Sequence, residues 1–175
     1  MERTLVIVKP DGVRRGLTGE AIRRFENVGL SIVAMKMMWL DKKKVDAFYP
    51  KDKEWILMLG KKNTEAAAMR GEKLRGSEME QGKLVRKWLL DYISSGPVVA
   101  MVLEGTDTVG IVRKLTGPTD ISKAMPGTIR GDFSTDSIYV SSKEKRVSQN
   151  IVHASGSAAE AKSEINFFFS KKELE

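Results

Sequence analysis

A chain of 175 residues is long enough to bury a core and fits one domain. With 41% hydrophobic and 30% charged residues it has an ordinary globular composition, and the lack of cysteine excludes disulfides, thiolate chemistry and cysteine-type zinc sites. One histidine excludes multi-histidine metal sites, while a net charge of +7 favours anionic partners: nucleotides, nucleic acid or acidic surfaces.

Thr4 to Val8 is a β-branched run that predicts a buried strand, ending in a turn at Lys9-Pro10-Asp11-Gly12. Lys9, at the end of that strand, is placed to meet an anion, although such lysines are commonly routine. Leu17 to Val28 predicts a helix with Ile22, Phe25 and Val28 inward and Gly29 as its stop. Leu30 to Leu40 is a second strand. Asp41 then caps a short helix with Val45, Phe48 and Tyr49 on its apolar face, ending at Pro50. Lys51 to Gly82, rich in Lys, Glu, Gly and Met, predicts one or two short surface helices. In Lys83 to Ile93, Leu84, Val85, Trp88, Leu89 and Tyr92 trace one helical face, stopped by Gly96-Pro97. Val98 to Leu103 is a third strand, and Thr108 to Leu115 a helix with Val109, Val112 and Leu115 inward and Arg113 at the rim. Gly117 to Phe133 reads as a long loop and Ser134 to Gln149 as an exposed hairpin or loop.

The most informative stretch is Asn150 to Glu164. Ile151 and Val152 deliver His153, the sole histidine, to a small-residue turn at Ala154-Ser155-Gly156. Ser157 and Glu160 have the spacing of a capping box, and the helix behind them buries Ala161, Ile165 and Phe168. Glu164 lies on that same stripe. A carboxylate on an apolar face needs a partner, and His153 and Ser155 are the candidates. A histidine held by an acid suits a nucleophile or base, while a lone histidine at a strand end is more often structural. The element order predicts an α+β, ferredoxin-like split βαβ fold: a four-stranded antiparallel sheet with helices on one face and extra helical and loop insertions. No apolar run is long enough to span a bilayer, and the N-terminus leaves no room for a signal peptide. The expectation is therefore a cytoplasmic protein with no membrane partner.

No P-loop or Rossmann glycine signature occurs. Four blocks in order, Thr4–Val13, Ser95–Gly105, Pro126–Phe133 and Asn150–Ser157, closely resemble nucleoside diphosphate kinase. That resemblance implies one domain over 1–175 with inserted segments at about 51–82 and 134–149. It implies transfer of the γ-phosphate of ATP to nucleoside diphosphates through a phosphohistidine on His153, with low base specificity. By similarity, Arg113, Thr119 and Arg130 hold the phosphates, and Lys9 holds the transferring group and the sugar 3′ hydroxyl. Tyr49 supports that lysine, Asn150 binds the ribose, Glu164 steadies the imidazole and Ser155 bonds Glu164. Mg2+ rides on the nucleotide phosphates, with no metal ligand from the protein. The resemblance also implies a homo-oligomer, a hexamer built from dimers.

Three departures stand out. Counting back from Pro97, Val85 stands where the family usually has an aromatic residue stacking on the base, with Leu89 one turn later. The resemblance then implies an aliphatic clamp on the base, or its replacement by Trp88 or an inserted residue. The two segments look longer than in compact members, and the C-terminal tail is short. A smaller change beside these three is Gly156, where many relatives have an acid. The rival readings are a catalytically silent relative and a basic ferredoxin-like nucleic-acid-binding module. The strands lack the paired aromatics of the latter, so nucleic-acid affinity is expected to be incidental only.

Overall fold

The computed structural model describes residues 1–174, and the chain divides into two compact units. One comprises Met1–Trp39, Gly96–Ser134 and the chain from Asn150 onward; the other comprises Leu40–Ser95 and Thr135–Gln149.

Four strands, β1 (Glu2–Val8), β2 (Ser31–Trp39), β3 (Pro97–Gly105) and β4 (Val152–Ala154), form one sheet in the first unit. Their order is β2-β3-β1-β4 and every neighbouring pair is antiparallel, which is the expected α+β, ferredoxin-like arrangement. The helices of the described residues are α1 (Pro10–Arg14), α2 (Thr18–Glu26), α3 (Lys42–Phe48), α4 (Lys53–Ala68), α5 (Glu78–Ile93), α6 (Thr108–Thr116), α7 (Ile129–Phe133), α8 (Ile138–Lys143) and α9 (Ala158–Phe168). Of these, α3, α4, α5 and α8 belong to the second unit. None is long and apolar enough to cross a membrane.

The central strands are almost unbroken runs of buried Leu, Val, Ile, Ala and Met, so they are covered on both faces rather than the one expected. Val6, Val8, Val99, Met101 and Leu103 pack with Ala21 and Phe25 of α2, Val112 of α6 and Ile129 of α7. The edge strand β2 instead alternates, leaving Met35, Met37 and Trp39 50%, 62% and 71% exposed.

Several local expectations change. The Pro10-Asp11-Gly12 turn is the start of α1, because Pro10 sits in the first helical turn, where its missing N–H costs nothing. Val28 lies beyond α2 and is exposed. The segment after Pro50 forms the 16-residue α4 rather than short helices, with Asp52 accepting from the Trp55 N–H. Next, α5 begins at Glu78, because Ser77 and Glu80 make a complete capping box. The loop after Gly117 contains a 3₁₀ turn at Ile121–Lys123 and α7, which Thr128 caps. Residues 134–149 hold α8, capped by Ser137, and no hairpin.

Within the second unit, α4 and α5 cross with their backbones in contact. A Cβ on Gly60 would lie 1.8 Å from the Glu78 carbonyl oxygen, and one on Gly82 would lie 1.9 Å from that of Ile56. Buried Asn63 donates to Gln81 Oε1 at 3.0 Å and accepts from Ser142 Oγ at 2.6 Å. Arg70 donates to the Tyr139 carbonyl at 2.9 Å, so α8 is tied to α4.

Candidate active site

The site grows from the end of β4. Ile151, fully buried, has φ of +67°, a conformation that β-branched residues rarely adopt. The Val152 N–H donates to the Asn150 carbonyl at 2.7 Å, closing a three-residue γ-turn around Ile151. The chain then enters β4, where His153 pairs with Ile7 of β1.

His153 Nε2 meets both carboxylate oxygens of Glu164, at 2.8 and 3.0 Å. An ionised carboxylate only accepts, so Nε2 carries the proton. Ser155, fully buried, donates its hydroxyl to Glu164 Oε2 at 2.6 Å and accepts from the Leu5 N–H at 3.3 Å. The carboxylate is therefore fixed to β1 through the serine, and the imidazole is fixed to the carboxylate. This arrangement follows from α9: Ala161, Ile165 and Phe168 are buried, which turns Glu164 back toward the strand it packs on. The helix start differs in one detail from a capping box. Ser157 accepts from the Glu160 N–H at 3.2 Å, but the Glu160 carboxylate accepts from the Gly156 N–H at 2.7 Å, one residue earlier than expected. A Cβ at Gly156 would lie 2.6 Å from that carboxylate and 3.6 Å from an Arg113 guanidinium nitrogen. A side chain at position 156 would thus require the Glu160 carboxylate to shift.

Beside the histidine lies a polar cluster. Lys9 is buried and donates from Nζ to Asn150 Oδ1 at 2.6 Å. Burial, helped by the repulsion of Arg130 and opposed by Asp11, lowers its pKa to about 7. Asn150 Nδ2 donates to the Thr119 carbonyl at 3.2 Å. Arg130, also buried, donates to the carbonyls of Asn150, Gly117 and Val152, at 3.3 Å in the first case and 2.7 Å in the last. Its guanidinium thus braces the backbone on both sides of Ile151. Arg113 and Thr119 are exposed.

The first unit therefore holds eight of the eleven sequence-predicted residues, and Tyr49, Val85 and Leu89 fall in the second. The Tyr49 ring stacks on Trp55 at 6.2 Å, and its carbonyl accepts from Arg86 at 3.3 Å. Val85 and Leu89, one turn apart on α5, are partly buried. Sequence reasoning missed Asp11, which is buried and accepts from the Ile151 N–H at 3.1 Å. Its position next to Pro10 in the strand-end block was the only available signal.

The family model described as "Nucleoside diphosphate kinase" matches residues 2–58 and 77–174. It passes over 59–76, in α4 and the connection behind it, and runs through 134–149. The chain is 46% identical over 179 residues to the nucleoside diphosphate kinase of Pyrobaculum aerophilum, covering 99% of this chain and 98% of that one. It is 42% identical to that of Archaeoglobus fulgidus, covering 99% and 90%. A crystal structure of an NDP kinase from Pyrobaculum aerophilum superposes with a TM-score of 0.96 at 46% identity, covering 99% and 98%. A transition-state mimic of the Borrelia burgdorferi nucleoside-diphosphate kinase, with bound vanadate and ADP, superposes with a TM-score of 0.76 at 38% identity, covering 99% and 90%.

Proposed function

Because the chain belongs to the nucleoside diphosphate kinase family and is a phosphotransferase acting between nucleotides, we propose that His153 carries the phosphoryl group between donor and acceptor. The observation that carries this reading is the Glu164–His153 pair. With Nε2 engaged as a donor to Glu164, the attacking nitrogen is Nδ1. Its lone pair forms the bond to the γ-phosphorus of ATP while the bond to the bridging oxygen breaks, and ADP leaves with that electron pair. The imidazole becomes cationic, and the nearby carboxylate stabilises it. In the second half-reaction a terminal oxygen of a nucleoside diphosphate attacks the same phosphorus, and neutral His153 returns. Such transfer depends on positioning and charge stabilisation, not on proton abstraction by the protein.

In this proposal Lys9 meets the transferring group, Arg113 and Thr119 hold phosphates, and Asn150 orients the ribose. Arg130 contributes charge from behind the Asn150–Val152 turn. Tyr49, Val85 and Leu89 enter on the resemblance alone. Among the described residues no three His, Asp or Glu side chains cluster to hold an ion, and the side chains proposed to meet the phosphates, Lys9, Arg113, Arg130 and Thr119, are cationic or neutral. That donor set fits Mg2+ arriving on the nucleotide phosphates, where it would neutralise charge on the oxygens. We further infer a cytoplasmic homo-oligomer, a hexamer assembled from dimers. In support, the β2 edge presents Met35, Met37 and Trp39 to solvent. Of the net +7, +5 falls in the second unit, so any nucleic-acid affinity is electrostatic and incidental.

The test is incubation with γ-labelled ATP and Mg2+ without acceptor, followed by alkaline trapping. One acid-labile label per chain, on His153 and discharged by a nucleoside diphosphate, is expected. A folded protein that takes no label would overturn the reading.

A further inference from the structure

The γ-turn at Ile151 is costly, and the fold holds it from three directions. The Lys9 N–H donates to the Ile151 carbonyl at 2.7 Å. The Asp11 carboxylate accepts from the Ile151 N–H at 3.1 Å. Gly12 completes the seat: a Cβ there would lie 2.8 Å from Val8 Cγ1, 3.0 Å from Ile151 Cγ2 and 3.2 Å from the Ile151 carbonyl oxygen. The Lys9-Pro10-Asp11-Gly12 block thus grips both polar groups of one strained residue and leaves room for its side chain. Positive φ at Ile151 separates its own amide groups from those of its neighbours. Ile151 faces the block, while the carbonyls of Asn150 and Val152 face Arg130.

The residues on either side of this turn are Asn150, which holds Lys9 Nζ, and Val152, which leads into His153. A relaxed Ile151 would rotate both peptides and move the amide and the imidazole relative to Lys9. Strained backbone persists only where the surroundings over-determine it, and here one carboxylate supplies the N–H side of that restraint.

We propose that Asp11 is a positioning residue for phosphoryl transfer: its carboxylate clamps the strained Ile151 turn and so sets the geometry of His153, Asn150 and Lys9. It touches no reacting atom. This rests on the His153 reading above, and the two can fail separately. Asp11 also has a rival role, since its negative charge favours the protonated form of Lys9. The amide of Asp11→Asn can still accept from the Ile151 N–H but carries no charge, so it separates the two roles.

The experiment measures the single-turnover phosphorylation rate of the full chain by ATP, across pH, for wild type, Asp11→Asn and Asp11→Ala. Circular dichroism confirms that each variant is folded. Asp11→Ala is expected to lose about a hundredfold in plateau rate, the scale of a misplacement near 1 Å. Asp11→Asn should recover most of the plateau. Both variants should show the same small displacement of the pH profile, because both lose the charge beside Lys9. Equal plateau losses in the two variants would make Asp11 a charge partner only and overturn the clamp, as would a folded Asp11→Ala at the wild-type rate. Should Asp11→Ala not fold, Asp11→Ser replaces it: its hydroxyl stops one bond short of the Ile151 amide, and the same loss is expected. A wild-type protein that takes no phosphate would instead remove the His153 reading itself.

Discussion

Lys9 offers the most quantitative prediction. Its ammonium is removed from water and lies beside the Arg130 charge, while Asp11 only partly offsets both effects, and its pKa falls from 10.5 to about 7. A depressed lysine pKa has a defined sign. Below about pH 7 the group is protonated in both folded and unfolded chains, and the cost of burying the charge is fully present. Between pH 7 and 10.5 the unfolded chain holds a proton that the native chain has released, so stability rises with pH. At 1.36 kcal/mol per unit, the full span amounts to roughly 5 kcal/mol. In catalysis the same shift acts in the other direction. The free enzyme carries a charged Lys9 only below about pH 7, and a bound phosphate favours the charged form. As pH rises from about 6 to about 9, kcat/KM should therefore fall, approaching tenfold per unit, while kcat holds to higher pH, because the first reports the free enzyme and the second the complex. Steady-state rates over that range, with Lys9→Met as the variant that lacks the limb, are the assay. A wild-type kcat/KM that stays flat, or a limb that survives in Lys9→Met, would refute the argument. So would a Lys9 pKa near 10 measured directly by NMR on the folded protein.

Three further outcomes are expected. Glu164→Gln keeps an acceptor for His153 Nε2 but removes the charge that stabilises the cationic imidazole. Its single-turnover rate should fall about ten- to a hundredfold, the equivalent of one charge-assisted hydrogen bond. His153→Ala should abolish transfer in a folded chain, and a Glu164→Gln loss as complete as that would assign the acid more than orientation and charge. Gly82→Ala should destabilise the α4–α5 crossing by about 3 kcal/mol, because the new Cβ meets the Ile56 backbone rather than a movable side chain. That corresponds to a fall of roughly 6 to 12 °C in Tm, and an unchanged melt would show that the two helices can move apart.

The fold was readable where burial leaves a pattern. The apolar runs of β1 and β3, the stripe of α2 and the Ser157–Glu160 start of α9 all carry periodicity or capping chemistry. α4 does not: it buries Gly60, Asn63, Ala66 and Ala67, small or polar residues that make no hydrophobic stripe. Its Gly60 is the point where α5 approaches. Pro10 misled for a related reason, since Pro-Asp-Gly has the composition of a turn while Pro also suits a helix start. In the site, the pairing of His153 with Glu164 could be anticipated, because one helical stripe and one turn suffice to bring them together. The role of Arg130 on three carbonyls and the strain at Ile151 could not. Both depend on where the backbone points after folding, which residue types do not encode.

The pairing of Ile7 with His153 has a consequence for biosynthesis. The stretch between these two partners takes on the order of ten to thirty seconds to translate at ordinary elongation rates, so β1 waits that long for its second neighbour. Until then one edge of β1 is open to solvent, and Leu5 lacks Ser155, which ties the Glu164 carboxylate to it. A chain cut short before β4 therefore presents an unpaired strand edge, open to edge-to-edge association, and lacks the His153–Glu164 pair on which the proposed phosphohistidine depends.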